Sequence, residues 1–253
     1  MANAVMTVQT VGEALGRVVG AALAPVAAVM AKARGGRALH PRGTVCAAEV
    51  VAAAEDPVLV ALAHRLAGGA VVRMSGSLWR RADLPEMLGC AMRLRGPRTL
   101  TPEVDPQDQD ILFATARAPW AVPLAMLTTA HHDYLQNVYY TIGRMEDAEL
   151  GRLELRLVPL PIVAPAGAQR GARLRSAMEA GHARLRLELR RLGGMRGSWQ
   201  PLCEVRLRGP LNVDTRALKF SPYQTGQGLV PRGFLHAMRE SIYAAAQAPR
   251  AAE

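Results

Sequence analysis

The chain has 253 residues, half of them hydrophobic, enough for one core-forming domain, alone or with an appended helix. Its net charge is +10, yet 29 of the 31 basic residues are arginine and they gather in no cluster or recognised motif, which argues against a nucleic-acid partner. Cys46, Cys90 and Cys203 are far apart and odd in number, which excludes a disulfide framework and fits the reduced thiols of a cytoplasmic protein.

Residues 5–33 are expected to be helical, with an apolar stretch over 18–30 that is too short to span a bilayer. Glu13 speaks against a secretory leader, so the segment reads as a helix packed on the domain or lying on a membrane surface. This gives an expected division into an N-terminal helix, 1–34, and a folded domain, 35–253. A loop over 35–43 leads to a strand over 44–51, and a short helix follows over 59–66. Strands are expected over 70–75, 89–94 and 110–115, with a Pro-rich loop over 97–106. Residues 126–140 are expected to be helical, turning at Gly143. The clearest strands are 152–158, 184–190 and 203–208, where polar and apolar residues alternate with period two, so that each buries one face. About seven or eight such strands with few helices between them predict an antiparallel sheet closed into a barrel.

The last stretch carries the most chemistry. Turn residues over 221–233 precede a helix over 234–248, in which Arg239 and Tyr243 stand four apart and share a face. A guanidinium beside a phenol favours the phenolate, and an oxygen anion fixed in this way can bind a metal. His236 lies on nearly the same face and is a rival ligand. Near the other end, Arg37 and His40 open the first strand, and Arg73 and Ser75 lie in the second.

Arg239-x-x-x-Tyr243, with Arg250 seven residues on and Phe220-Ser221-Pro222 and Gly228-Leu229 before it, resembles the haem-ligand helix and preceding loop of catalases. The segment from Arg37 to Gly43 resembles the catalase segment that carries the distal histidine. Val72-Arg73-Met74-Ser75 resembles Val-Arg-Phe-Ser, residues 85–94 resemble the next catalase strand, and Asp110-Ile111-Leu112 resembles Asp-Leu-Val. The order along the chain is the catalase order, and the likeness runs from about residue 37 to residue 250.

The resemblance implies an α+β, mainly β fold: a catalase-like antiparallel barrel with peripheral helices and an N-terminal helix. It implies haem b held through the Tyr243 phenolate, with Arg239 keeping the phenol ionised and Arg37, Arg73 and Arg250 among the cofactor-binding residues. His40 becomes the catalytic histidine, oriented by Ser75. The partners implied are hydrogen peroxide or an organic peroxide and an organic reductant, in a chain that can form oligomers. Where catalases place two asparagines after Asp-Leu-Val, this chain has Ala114 and Thr115, unless a gap realigns Asn137. The shortness of the chain brings it nearer the small catalase-related haem peroxidases, whose Tyr-Tyr-Ser or Tyr-Trp-Ser element is similar to Tyr139-Tyr140-Thr141. Trp120 and Leu124 are the candidates for the haem-stacking position. The expected activity is therefore peroxidase-like, with weak or no catalase turnover. A haem carrier or sensor without turnover is the alternative on the same fold. A metal-dependent phosphohydrolase around His131-His132-Asp133 is the alternative from another class, and would need an all-helical fold.

Overall fold

The computed structural model describes residues 11–22, 24–25, 40, 42–79, 84–161, 166–193, 197–215 and 217–247, with the backbone alone for 119 and 241–247. Ten strands and five helices are found among them. The strands are β1 (Gly43–Ala52), β2 (Gly68–Gly76), β3 (Leu88–Gly96), β4 (Gln109–Ala114), β5 (Tyr139–Thr141), β6 (Arg144–Asp147), β7 (Gly151–Pro159), β8 (Arg184–Arg191), β9 (Gln200–Pro210) and β10 (Val230–Arg232). The helices are α1 (residues 11–22), α2 (Pro57–Leu66), α3 (Val122–Thr128), α4 (Arg170–Glu179) and α5 (Phe234–Gln247).

All pairings are antiparallel. The ring β1-β2-β3-β4-β5-β7-β8-β9 closes on itself through β1–β9 and β7–β8, giving an eight-stranded barrel. β6 continues the β5 edge along β7, and β10 adds to β6. Closure leaves those eight strands without a bare edge. The expected mainly-β barrel is thus the observed fold.

Strand alternation sorts residues into two faces. Cys46, Ala48 and Val50 of β1, Val72 and Met74 of β2, Met92 of β3 and Leu153, Leu155 and Leu157 of β7 point into the barrel core. α2 adds Leu59, Leu62, Ala63 and Leu66 to that core, and α4 adds Leu174, Ala177 and Met178. α2 starts where it does because Pro57 suits a first helical position and the Asp56 carboxylate accepts a hydrogen bond from the Val58 N–H at 2.9 Å. The opposite face of β1–β4 carries Val45, Val71, Ala91 and Leu112, which pack with Leu218 and Phe220.

That outer face is anchored by buried charge. Arg93 forks onto both oxygens of Asp110, each at 2.9 Å, and donates a further hydrogen bond to the Lys219 carbonyl. Asp110 also accepts from the Ser221 N–H at 2.8 Å, and the Arg93 guanidinium stacks 5.2 Å from the Phe220 ring centroid. Burial pushes the Asp110 carboxyl above its usual range, against the pull of Arg93. This cluster pins the Phe220-Ser221-Pro222 loop to the barrel and so sets where the chain starts towards α5.

Residues 126–140 are not one helix, contrary to the sequence expectation. α3 ends at Thr128, whose successor Thr129 is extended. Asp133 then caps a single 3-10 turn over Tyr134–Gln136 by accepting from the Leu135 N–H, and β5 begins at Tyr139. The amide of Asn137 bonds both the N–H and the carbonyl of Ala130 and the carbonyl of Asp133, which stabilises the turn instead of a helix. α4, β6 and β10 went unforeseen.

α1 packs on α5. Gly16 and Gly20 lie against Phe234, Ala237 and Met238, and Val11, Leu15 and Val18 face outwards, 57–67% exposed. Among the described residues no helix is long and apolar enough to cross a membrane.

Candidate functional site

The register of the outer face places one row of residues side by side: Gly43, Ser75, Gly89, Ala114 and Tyr140, on β1 to β5 in turn. The next row is Val45, Arg73, Ala91 and Leu112. Neighbouring strands lie about 4.8 Å apart, so the row from Ser75 to Tyr140 spans roughly 14 Å. Between Arg73 and Ser75 at one side and Tyr140 at the other, the floor is made of Gly89, Ala91, Leu112 and Ala114. Ala91 and Leu112 are covered by Leu218 and Phe220, and Gly89 lies under the His40 ring.

His40 sits on this floor. Its Nδ1 lies 2.9 Å from Ser75 Oγ, and its main-chain N–H donates to the Ser77 carbonyl at 3.0 Å. Arg73 Nη2 donates to the His40 carbonyl at 2.8 Å. The imidazole rests against Gly89 so closely that a β-carbon there would fall 2.5 Å from Cε1. The backbone of His40 is left-handed, with φ 58°, the single non-glycine residue with positive φ among those described. Such a conformation costs energy for a residue with a β-carbon and persists when its surroundings impose it. Here three contacts impose it: the Ser75 hydroxyl, the Arg73 guanidinium and the bare face of Gly89. Gly43 has a related part, since a β-carbon there would fall 2.9 Å from both the Arg73 guanidinium carbon and Ser75 Cβ.

The structure thus brings together His40, Arg73 and Ser75, as the sequence suggested, and adds Gly89, the seat of the imidazole. Arg37 and Arg250 lie outside the described residues. Tyr243 falls within α5, and its side chain likewise lies outside the described ones. Arg239 reaches the same end of the sheet from α5, its Nη1 donating to the Ile142 carbonyl at 3.4 Å. Ile142 follows Thr141, which pairs with Phe113, next to Ala114.

His236, one turn before Arg239, is 5% exposed, and neither ring nitrogen has a hydrogen-bond partner. Burial, helped by the Arg239 charge, lowers its pKa to about 4, so it is neutral at pH 7. Its ring meets Gly143, where a β-carbon would fall 2.6 Å from Nε2. The ring therefore packs against the turn that links β5 to β6.

Residues 114 and 115 bring no amide to the site, in keeping with the sequence reading. Ala114 occupies the row beside Gly89, where its methyl group offers no hydrogen bond. The Thr115 hydroxyl accepts from the Leu88 N–H and from Thr129 Oγ1. Asn137 is committed to its turn and does not replace the missing amide. Trp120 and Leu124 lie on the short 3-10 turn and on α3, 83% and 63% exposed.

His131-His132-Asp133 does not assemble a metal centre. Asp133 spends its carboxylate on the Leu135 N–H, on Gln136 and on Arg173, and no group of three metal-ligating side chains occurs among the described residues. The barrel also replaces the all-helical scaffold that a phosphohydrolase reading requires.

No protein-family model and no curated protein sequence matches the chain. Among solved structures it is similar to a fungal catalase, with a TM-score of 0.57 and 11% identity, over 84% of this chain. The chain spans 59% of the length of that catalase. At this identity the likeness is one of fold, and the chain has a catalase-like β-barrel fold.

Proposed function

We propose that the chain binds one haem b between the outer face of β2–β4 and α5 and acts as a peroxidase on an organic reductant. The observation that carries this reading is the His40–Ser75 pair seated on Gly89. The distal half of that site would be His40, held over Gly89 by Ser75, with the buried Arg73 beside it. That Tyr243 would hold the haem iron rests on the likeness of the α5 segment to catalases. A propionate partner for Arg73 rests on the likeness of Val72-Arg73-Met74-Ser75 to the catalase segment, and a planar guanidinium suits a carboxylate.

Bound haem supplies the redox chemistry that divides an O–O bond. The work of the chain is to manage the proton. In the tautomer whose Nδ1–H donates to Ser75 Oγ, the one this mechanism requires, Nε2 of His40 is the basic nitrogen. It takes a proton from the nearer peroxide oxygen and returns it to the departing one, as an imidazole does when its pKa lies near the working pH. Ser75, Arg73 and Gly89 hold the ring so that this transfer needs no reorganisation. Ala114 cannot polarise a second peroxide as an amide would, which favours an organic reductant over dismutation.

A thiol route to the same chemistry is disfavoured. All three cysteines are buried, and burial pushes the Cys46 and Cys203 thiols up to about 12 and the Cys90 thiol well above its ordinary value. The test is reconstitution with hemin followed by peroxide-driven oxidation of a phenolic dye. His40→Ala should retain hemin and lose the oxidation by at least about a hundredfold. Equal rates in the two proteins would refute the assignment of His40.

A further inference from the structure

The segment before His40 has its own structural task. α1 carries glycines at 12, 16 and 20, one per turn, along one side. A β-carbon at Gly16 would fall 2.4 Å from the Phe234 carbonyl oxygen, and one at Gly20 would fall 2.1 Å from that of Met238. At Gly12 it would meet nothing within 4 Å. The backbones of α1 and α5 therefore touch at two points, directly before Arg239 in the sequence of α5.

A polar contact secures the same junction. Glu13 Oε1 accepts from the Gly233 N–H at 3.0 Å, while the Gly233 carbonyl accepts the first helical bond, from the Ala237 N–H at 3.1 Å. Glu13 thus satisfies an N–H that opens α5, and a carboxylate at a helix N-terminus is also favoured by the helix dipole. We propose that Glu13, Gly16 and Gly20 form a clamp that positions α5, and through it Arg239 and Tyr243, against the barrel. Glu13 is then a positioning residue for the site on α5, an assignment that rests on the haem reading given above.

Glycine-to-alanine changes separate the clamp from general helix stability. Alanine stabilises a helix interior relative to glycine, so propensity alone makes all three changes favourable. The clamp predicts otherwise. Hydrogen exchange of the α5 amides in the haem-free chain should accelerate by about tenfold or more in Gly16→Ala, Gly20→Ala and Glu13→Ala, with barrel-strand amides unchanged. Gly12→Ala should leave α5 unchanged, and Glu13→Gln, which keeps the acceptor, should restore most of the protection. Unchanged α5 exchange in both Gly16→Ala and Gly20→Ala overturns the clamp. So does acceleration spread evenly over α5 and the barrel, because the change is then global. In the hemin-loaded chain, Gly16→Ala should alter the Soret band and its pH titration, and Gly12→Ala should not. A loaded Gly16→Ala with the wild-type spectrum and titration overturns the positioning role. If the wild-type chain binds no hemin, it is the haem reading that fails, and the positioning role on Tyr243 as a ligand falls with it. The exchange measurement still decides whether α1 clamps α5.

Discussion

Gly89→Ala is the most searching change in the distal site. The backbone at residue 89 is ordinary strand, so the substitution acts through contact alone. The new methyl group would stand 2.5 Å from His40 Cε1 and 3.0 Å from Nδ1. Carbon atoms settle at about 3.5–4.0 Å, so the ring must retreat by roughly 1 Å. The 2.9 Å contact with Ser75 Oγ then stretches past hydrogen-bonding distance. The lost bond costs about 1 kcal/mol. Overpacking adds about 1–3 kcal/mol. Replacing a strand glycine returns about 0.5–1 kcal/mol, leaving a net loss near 2 kcal/mol. Urea unfolding reads that loss. Peroxide-driven dye oxidation by the reconstituted protein reads the displacement, and a shift of roughly 1 Å in a catalytic group costs on the order of a hundredfold. In a His40→Ala background the methyl group meets no ring, so Gly89→Ala should be neutral or slightly stabilising, a coupling of about 2 kcal/mol in a double-mutant cycle. A Gly89→Ala protein with wild-type stability and rate would refute the claim that His40 works from this seat.

Three further outcomes are expected. Folded His236 titrates at about 4 against 6.5 for the ordinary residue, so between those values the unfolded chain binds the extra proton and stability rises with pH. The contribution is complete above the unfolded value and falls by about 3 kcal/mol as pH drops to about 4, which urea unfolding across that window measures; His236→Leu should flatten this part of the profile. Ala114→Asn, which restores an amide beside Gly89, should raise oxygen evolution from peroxide by about tenfold in the hemin-loaded chain, measured with an oxygen electrode. Arg93→Met leaves Asp110 buried without its fork and should cost about 3–5 kcal/mol in urea unfolding, much of it recovered in the double variant with Asp110→Leu.

The barrel was legible because period-two alternation is strong where one face is wet and the other dry, as in Leu153, Leu155 and Leu157 of β7. β6 and β10 span four and three residues, too short for a period to register. α4 was hidden by its arginines, although Leu174, Ala177 and Met178 keep helical spacing. The error over 126–140 arose from side chains that bond backbone locally, Asp133 and Asn137, which periodicity does not detect. At the site, His40, Arg73 and Ser75 were legible as motif residues. The left-handed turn at His40 and the seat on Gly89 were not, because both depend on a strand 49 residues further along, paired with β2. The clamp of α1 on α5 joins residues more than 200 apart in sequence, and no local pattern encodes such a contact.

The proposed function requires that the chain bind haem with Tyr243 as its ligand. Titration of the purified chain with hemin, followed at the Soret band and repeated on Tyr243→Phe, tests this most directly. A band that saturates at one hemin per chain, with a tyrosinate-type spectrum that Tyr243→Phe abolishes, is the predicted result. Absence of saturation in the wild-type chain, or an identical spectrum in Tyr243→Phe, would contradict it.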